Sequence, residues 1–180
     1  INMTNHAYFC LSGDPATTVL GDSLSINASA FTPVDSTFMT TGEIRPVEGT
    51  PMDFRTTKAV GQDIDADDEQ IRNGKGFDHN WVLDTNGDIT LPAAVLASPV
   101  TGIVLTVYTD EPGVQFYSGN FLDGSVTGKR GKVYTQRTGL CLETQHYPDS
   151  PNKPEWPSVV LRPGDTYRSN TIFAFSTDAE

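Results

Sequence analysis

The side chains in this sequence best equipped to move a proton sit in short, strand-like runs. His6 lies in Asn2-Met3-Thr4-Asn5-His6-Ala7-Tyr8-Phe9-Cys10-Leu11. In a strand, successive side chains alternate, so His6, Tyr8 and Cys10 share one face and Ala7, Phe9 and Leu11 the other. An imidazole beside a phenol could line a polar pocket; a core histidine with a satisfied hydrogen bond fits the same pattern. Glu143 lies in Gly139-Leu140-Cys141-Leu142-Glu143-Thr144-Gln145. Cys141, Glu143 and Gln145 form one face there. A carboxylate in an apolar strand is costly to bury without partners. The Glu143 face therefore meets either solvent or a pocket, and Cys141 beside it argues against full exposure. Gln115 and Tyr117 share a face of a further run, an amide beside an aromatic, which suits a sugar. Asp78-His79-Asn80-Trp81 follows Asn73-Gly74-Lys75-Gly76. A polar cluster after glycines reads as a loop approaching a ligand, or as an ordinary turn with local Asp side-chain bonds.

Other chemistry is poorly supported. Asp84-Thr85-Asn86-Gly87-Asp88 begins like a calcium loop but lacks the later spacing and the terminal Glu. Asn2-Met3-Thr4 and Asn27-Ala28-Ser29 match the glycosylation triplet, which is frequent by chance, and Asn27 falls in an expected strand. Cys10 and Cys141, in apolar runs, read as buried thiols; no zinc-ligand spacing is present and two cysteines are too few for a disulfide scaffold. A reducing, cytoplasmic setting is the expectation. With 12 Lys+Arg against 23 Asp+Glu, the net charge of −11 disfavours nucleic-acid and anionic-membrane partners, while a neutral ligand is not penalised. No apolar run approaches the ~18 residues of a membrane span. No basic-then-apolar leader is visible. The sequence opens at Ile1 as though mid-protein.

Elements must hold these groups in place. The 16 glycines and 12 prolines cut apolar runs to strand length, and nothing reads as a long amphipathic helix. Period-two alternation marks strands at 23–28, 103–108, 114–117, 140–145 and 167–176. Asn86-Gly87 signals a hairpin, and Pro112-Gly113 and Pro163-Gly164 signal turns. The acidic stretch Asp63 to Glu69 reads as a solvated loop anchored by Ile64 and Ile71, a short helical turn being the alternative. The segments Phe31–Arg55 and His146–Trp156 are irregular but carry aromatic side chains, so packed loops are expected. Many short strands with turns between them predict an all-β sandwich or barrel.

Several ordered blocks resemble the aldose 1-epimerase (galactose mutarotase) family. Thr4-Asn5-His6-Ala7-Tyr8-Phe9 is similar to its TNHSYFNL motif. Residues 31–35, 46–55 and 76–80 follow. The strongest stretches are Thr109-Asp110-Glu111-Pro112-Gly113-Val114-Gln115-Phe116-Tyr117-Ser118-Gly119-Asn120-Phe121 and Cys141-Leu142-Glu143-Thr144-Gln145-His146-Tyr147-Pro148-Asp149-Ser150-Pro151-Asn152. Leu161-Arg162-Pro163-Gly164-Asp165-Thr166-Tyr167 closes the series.

The resemblance implies one domain over 1–180 with the family's large antiparallel β-sandwich (a supersandwich), lacking its N-terminal part. It implies interconversion of the α and β anomers of free aldohexoses, with no metal or nucleotide cofactor. Glu143 would be the base and His6 the acid; Asp78 and Gln115 would hold sugar hydroxyls, and Tyr8 would line the pocket. An unperturbed Glu (~4.3) is ionised at neutral pH. An imidazole near ~6.5 needs a neighbouring carboxylate to stay protonated, and Asp78 is one candidate. Ala7 and Cys10 stand where the family usually has Ser and Asn. Its members are longer at the N-terminus, where an Arg and a further His reach the sugar. The missing N-terminal portion is therefore an expected partner for stability and activity. Three other readings remain: a non-catalytic carbohydrate-binding relative, a hexose-6-phosphate epimerase relative with basic residues at the pocket rim, and a structural β-sandwich with no ligand.

Overall fold

The computed structural model describes residues 1–177. Among these residues eleven strands are formed: β1 (Tyr8–Phe9), β2 (Ser23–Ile26), β3 (Ala30–Thr32), β4 (Arg45–Pro46), β5 (Lys58–Ala59), β6 (Asp78–Val82), β7 (Ala94–Ala97), β8 (Ile103–Thr109), β9 (Gly113–Tyr117), β10 (Leu140–Gln145) and β11 (Thr171–Thr177). They build a six-stranded sheet, order β1-β10-β9-β6-β3-β4, and a five-stranded sheet, order β11-β8-β7-β2-β5. Every strand pair is antiparallel. The sandwich expected from alternation is the observed fold. Among the described residues no helix is long and apolar enough to cross a membrane.

The core lies between the sheets. Leu24 and Ile26 of β2, Leu96 of β7 and Leu105 and Val107 of β8 face it from one side. Trp81 of β6, Val114 and Phe116 of β9, and Leu140 and Leu142 of β10 face it from the other. Phe54, Phe77, Trp81 and Phe116 form an aromatic knot with ring centroids 5.1–6.3 Å apart. Burial of each such ring stabilises the fold by about 1.5–3 kcal/mol. The indole N–H of Trp81 donates to the carbonyl of Met52 at 3.0 Å, so its polar atom is satisfied.

The structure corrects three local expectations. Asn86 and Gly87 do adopt the paired positive φ of a primed turn (50° and 80°), and the Asp88 N–H donates to the Thr85 carbonyl. The flanking strands β6 and β7 nevertheless belong to different sheets, so this is a corner and not a hairpin. The acidic stretch is a loop through Asp68, as expected, and only its last residue enters a helix, α1 (Glu69–Gly74), N-capped by the Asp68 carboxylate and closed by Lys75 at φ 56°. Ile64 and Ile71 anchor it as expected. Asp78 to Trp81 is a strand inside the sheet and not a loop, because the chain turns at Lys75 and Gly76 just before it. The strand expected across Asn2–Leu11 is ordered as β-structure only at Tyr8 and Phe9. Both irregular segments are packed: Phe31, Met52 and Phe54 in one, and Tyr147 and Trp156 in the other, are buried.

His79 points into the core, opposite Asp78. Its Nδ1 accepts from the Asp78 N–H at 3.1 Å, and its Nε2 has no partner. The ring packs on the Cα of Gly74, where an added Cβ would come within 2.6 Å of it. Burial holds its pKa down at about 4 against the ordinary 6.5. Between those values the unfolded chain binds the extra proton, so stability is full above pH 6.5 and falls as pH drops toward 4. The loss is on the order of 3 kcal/mol. Urea unfolding at pH 7 and pH 5 should show about 2 kcal/mol of this loss, and His79→Gln should flatten it. An unchanged pH slope in the variant would assign the acid sensitivity elsewhere.

Candidate active site

Register places the site. Across the six-stranded sheet, Cys141 of β10 pairs with Tyr117 of β9, and Tyr117 with Asp78 of β6. One step along, Glu143 pairs with Gln115, and Gln115 with Asn80. Their side chains project from the face opposite the core, since Leu142, Phe116, His79 and Trp81 occupy the core face. Tyr8 joins through its pairing with Cys141. A cleft of about 370 Å³ opens over this face, lined by His6, Tyr8, Asp78, Gln115, Tyr117, Phe121, Glu143, Gln145 and Pro148. The five residues expected from the sequence therefore all line one cavity.

His6 lies outside any strand and is held at both ends. Upstream, the Asn2 amide donates to the His146 carbonyl at 2.8 Å and accepts from the His146 N–H at 3.1 Å. Downstream, β1 pairs with β10. The His6 ring stacks obliquely against Tyr8, with centroids 5.2 Å apart, and meets the edge of Tyr117 at 6.3 Å. Its Nε2 lies 3.3 Å from Glu143 Oε1, and its Nδ1 lies 3.4 Å from Cys141 Sγ. The carboxylate beside the imidazole is thus Glu143 itself. Asp78, expected in that place, instead accepts from the Gln115 amide at 2.8 Å.

Glu143 is buried and Asp78 half-buried. Burial raises the Glu143 pKa above its ordinary value; His6 opposes the rise and Asp78 adds to it. Burial likewise raises Asp78, against the lowering effects of the Gln115 hydrogen bond and of His6. Burial first, then Cys141, Tyr117 and the two carboxylates, pushes the Tyr8 phenol up to about 12, so it enters the cleft neutral. An amide chain closes the floor: the Gln145 Nε2 donates to Asn80 Oδ1 and Gln115 Oε1, both at 3.3 Å. Beside it, Gly113 has no room for a side chain, since a Cβ would fall 2.5 Å from Asn80 Oδ1.

Phe121 and Pro148 form walls that strand alternation does not reveal, because both follow their strands in irregular chain. Phe121 stacks on Tyr117 (6.3 Å) and meets Phe38 edge-on (5.6 Å). The third histidine takes no part: His146 Nδ1 lies 2.6 Å from Glu111 Oε2, and the Tyr167 hydroxyl donates to the other oxygen of that buried carboxylate at 3.0 Å. The pair braces the connection between β10 and the chain leading to β11.

A β-sandwich with an imidazole–carboxylate pair and a hydroxyl-binding amide–carboxylate pair in an open cleft has the makings of an acid–base carbohydrate protein. The chain belongs to the aldose 1-epimerase family, whose family model matches residues 1–174. It is 46% identical over 176 residues to mouse (Mus musculus) galactose mutarotase, covering 98% of this chain and 50% of that protein. It is 43% identical over 178 residues to the aldose 1-epimerase of Escherichia coli (strain K12), covering 97% and 50%. The crystal structure of an aldose epimerase homologue from C. elegans matches with a TM-score of 0.82 at 31% identity, over 98% of this chain and 51% of that one. That of galactose 1-epimerase from Lactobacillus acidophilus gives 0.81 at 30%, over 98% and 48%. The chain spans about half the length of the relatives it matches.

Proposed function

We propose that the protein containing this chain is an aldose 1-epimerase acting on free aldohexoses such as galactose and glucose. The observation that carries the reading is the 3.3 Å approach of His6 Nε2 to Glu143 Oε1 inside the cleft. In a cyclic sugar the anomeric hydroxyl and the ring oxygen are bonded to the same carbon. A base and an acid side by side can therefore serve both. Glu143 takes the proton from the anomeric hydroxyl while His6 delivers one to the ring oxygen. The bond between the anomeric carbon and the ring oxygen breaks, leaving the open-chain aldehyde. Rotation about C1–C2 presents the other carbonyl face. The ring hydroxyl then attacks it, returning its proton to His6 while Glu143 protonates the new anomeric oxygen. Each positioned group contributes roughly 10²–10⁴-fold.

Asp78 and Gln115, already bonded to each other, offer an acceptor and a donor set to sugar hydroxyls. Tyr8 and Tyr117 supply aromatic surface beside them. No Arg or Lys lines the cleft among the described residues, whereas one buried and one half-buried carboxylate, Glu143 and Asp78, do. That composition supports an uncharged sugar over a hexose 6-phosphate. The acid–base pair favours catalysis over binding alone. The rest of the full-length protein is proposed to complete the sugar site. Polarimetry on fresh α-D-glucose and α-D-galactose tests the reading; rotation decaying no faster than in buffer would refute it.

The base has an electrostatic signature. Asp78 raises the Glu143 pKa, so its removal as a charge should lower that pKa. In Asp78→Asn the acid limb of the kcat/KM profile should move to lower pH, with KM raised by the lost acceptor. An acid limb that stays in place would detach it from Glu143.

A further inference from the structure

Behind the proton-transfer pair lies a third group that the proposed reaction does not use. Cys141 is fully buried beneath His6 and Tyr8, is absent from the cleft lining, and has no disulfide partner. Its Sγ is 3.4 Å from His6 Nδ1. One donor atom each from His6, Cys141 and Glu143 lies within 4.8 Å of the others. Among the described residues this is the one such group of three or more His, Cys, Asp and Glu side chains. We propose that these three residues form a binding site for a borderline-soft divalent cation of the zinc type, and that its occupation blocks the active site.

The donor set argues for that class of ion. Thiolate, imidazole and carboxylate together match zinc, with three protein ligands and a fourth position left open to the cleft. Metal–donor distances of ~2.0–2.3 Å require donors about 3.5 Å apart in tetrahedral geometry. The His6–Glu143 and His6–Cys141 separations of 3.3 and 3.4 Å are already of that size, though each uses a different ring nitrogen. His6 lies outside the strands with its side chain 55% exposed, so the ring can turn to direct one nitrogen at the ion. Magnesium and calcium prefer six or more oxygens, and the second carboxylate, Asp78, is engaged by Gln115. Asp78 and Glu143 nevertheless give the cleft a negative potential that favours a cation, in a chain of net charge −11.

Binding is a proton exchange. The Cys141 thiol loses its proton to solvent as the sulfur–metal bond forms. Affinity therefore rises with pH. The ion occupies the lone pairs that Glu143 and His6 need for proton transfer. The blocking role rests on the proposed epimerase activity; the binding site does not.

Cobalt(II) titration of the full-length protein tests the two separately. One equivalent should produce visible d–d bands of tetrahedral cobalt and a thiolate-to-cobalt charge-transfer band. Cys141→Ser should abolish the charge-transfer band, and Cys10→Ser should keep it. His6→Asn, at an exposed position that does not threaten folding, should weaken cobalt binding by more than the ~10-fold typical of losing an outer-shell partner. Zinc should inhibit mutarotation reversibly by chelator, and Cys141→Ser should need over ~10-fold more zinc for the same fractional inhibition, each protein being compared with its own metal-free rate. No charge-transfer band at one equivalent, or a band retained in Cys141→Ser, would overturn the site. Cobalt binding as described without mutarotation would leave the site standing and remove the proposed function instead.

Discussion

Glu143→Gln should lower kcat for mutarotation in the full-length protein by roughly 10²–10⁴-fold, the range for removing a positioned base. The amide matches the carboxylate in shape and can still meet His6, so the cleft keeps its outline and KM should change little. What disappears is the ability to accept the anomeric proton. Folding should not suffer. Glu143 is buried with its pKa raised, so its ionised form costs stability at neutral pH, a cost relieved as pH falls through that raised pKa toward the ordinary carboxyl value. An uncharged amide avoids this desolvation. The variant should therefore melt no lower than the parent while losing turnover, a combination that excludes misfolding as the cause. Saturation kinetics by coupled assay or polarimetry would measure it. Normal turnover in Glu143→Gln would remove Glu143 from the mechanism.

His6→Asn should produce a loss of the same order, about 10²–10⁴-fold, because an amide cannot protonate the ring oxygen as it leaves. The two losses should not multiply. Ring opening needs proton removal and proton delivery in one concerted passage, so once either is missing the other has little left to accelerate. The double variant should lie close to the slower single variant, above the uncatalysed rate by whatever the hydroxyl-binding residues still contribute. Multiplicative losses would mean that the two side chains act in separate steps, and that their 3.3 Å contact is incidental.

Strand alternation made much of this geometry legible. It placed Gln115 with Tyr117, and Cys141 with Glu143 and Gln145, on shared faces, and those faces do meet in one cleft. The reason is local: side-chain direction in a strand follows from backbone geometry whatever the partner strand. It could not tell that Asn86-Gly87 turns a corner between sheets, because the same φ values serve a hairpin and a corner. Nor could it reveal that Asp78 opens a central strand, since the preceding glycines look the same before a loop. The pairing of His6 with Glu143 rather than Asp78 depends on β1 lying against β10, a contact between residues more than a hundred positions apart in sequence. The roles of individual residues came from resemblance to relatives, which carries chemistry that a periodic pattern does not.

All six residues of β10 are hidden: Leu140 and Leu142 against the core, Cys141, Glu143 and Gln145 against the site, and Thr144 beside Thr171 of the opposing sheet. Such a strand has no idle side. Most surface strands can drift freely at every second position, but here each substitution is judged by folding on one face or by turnover on the other. The strand should therefore show the lowest mutational tolerance in the chain, and its two faces should fail differently in a deep scan, one by loss of protein and the other by loss of activity at normal abundance.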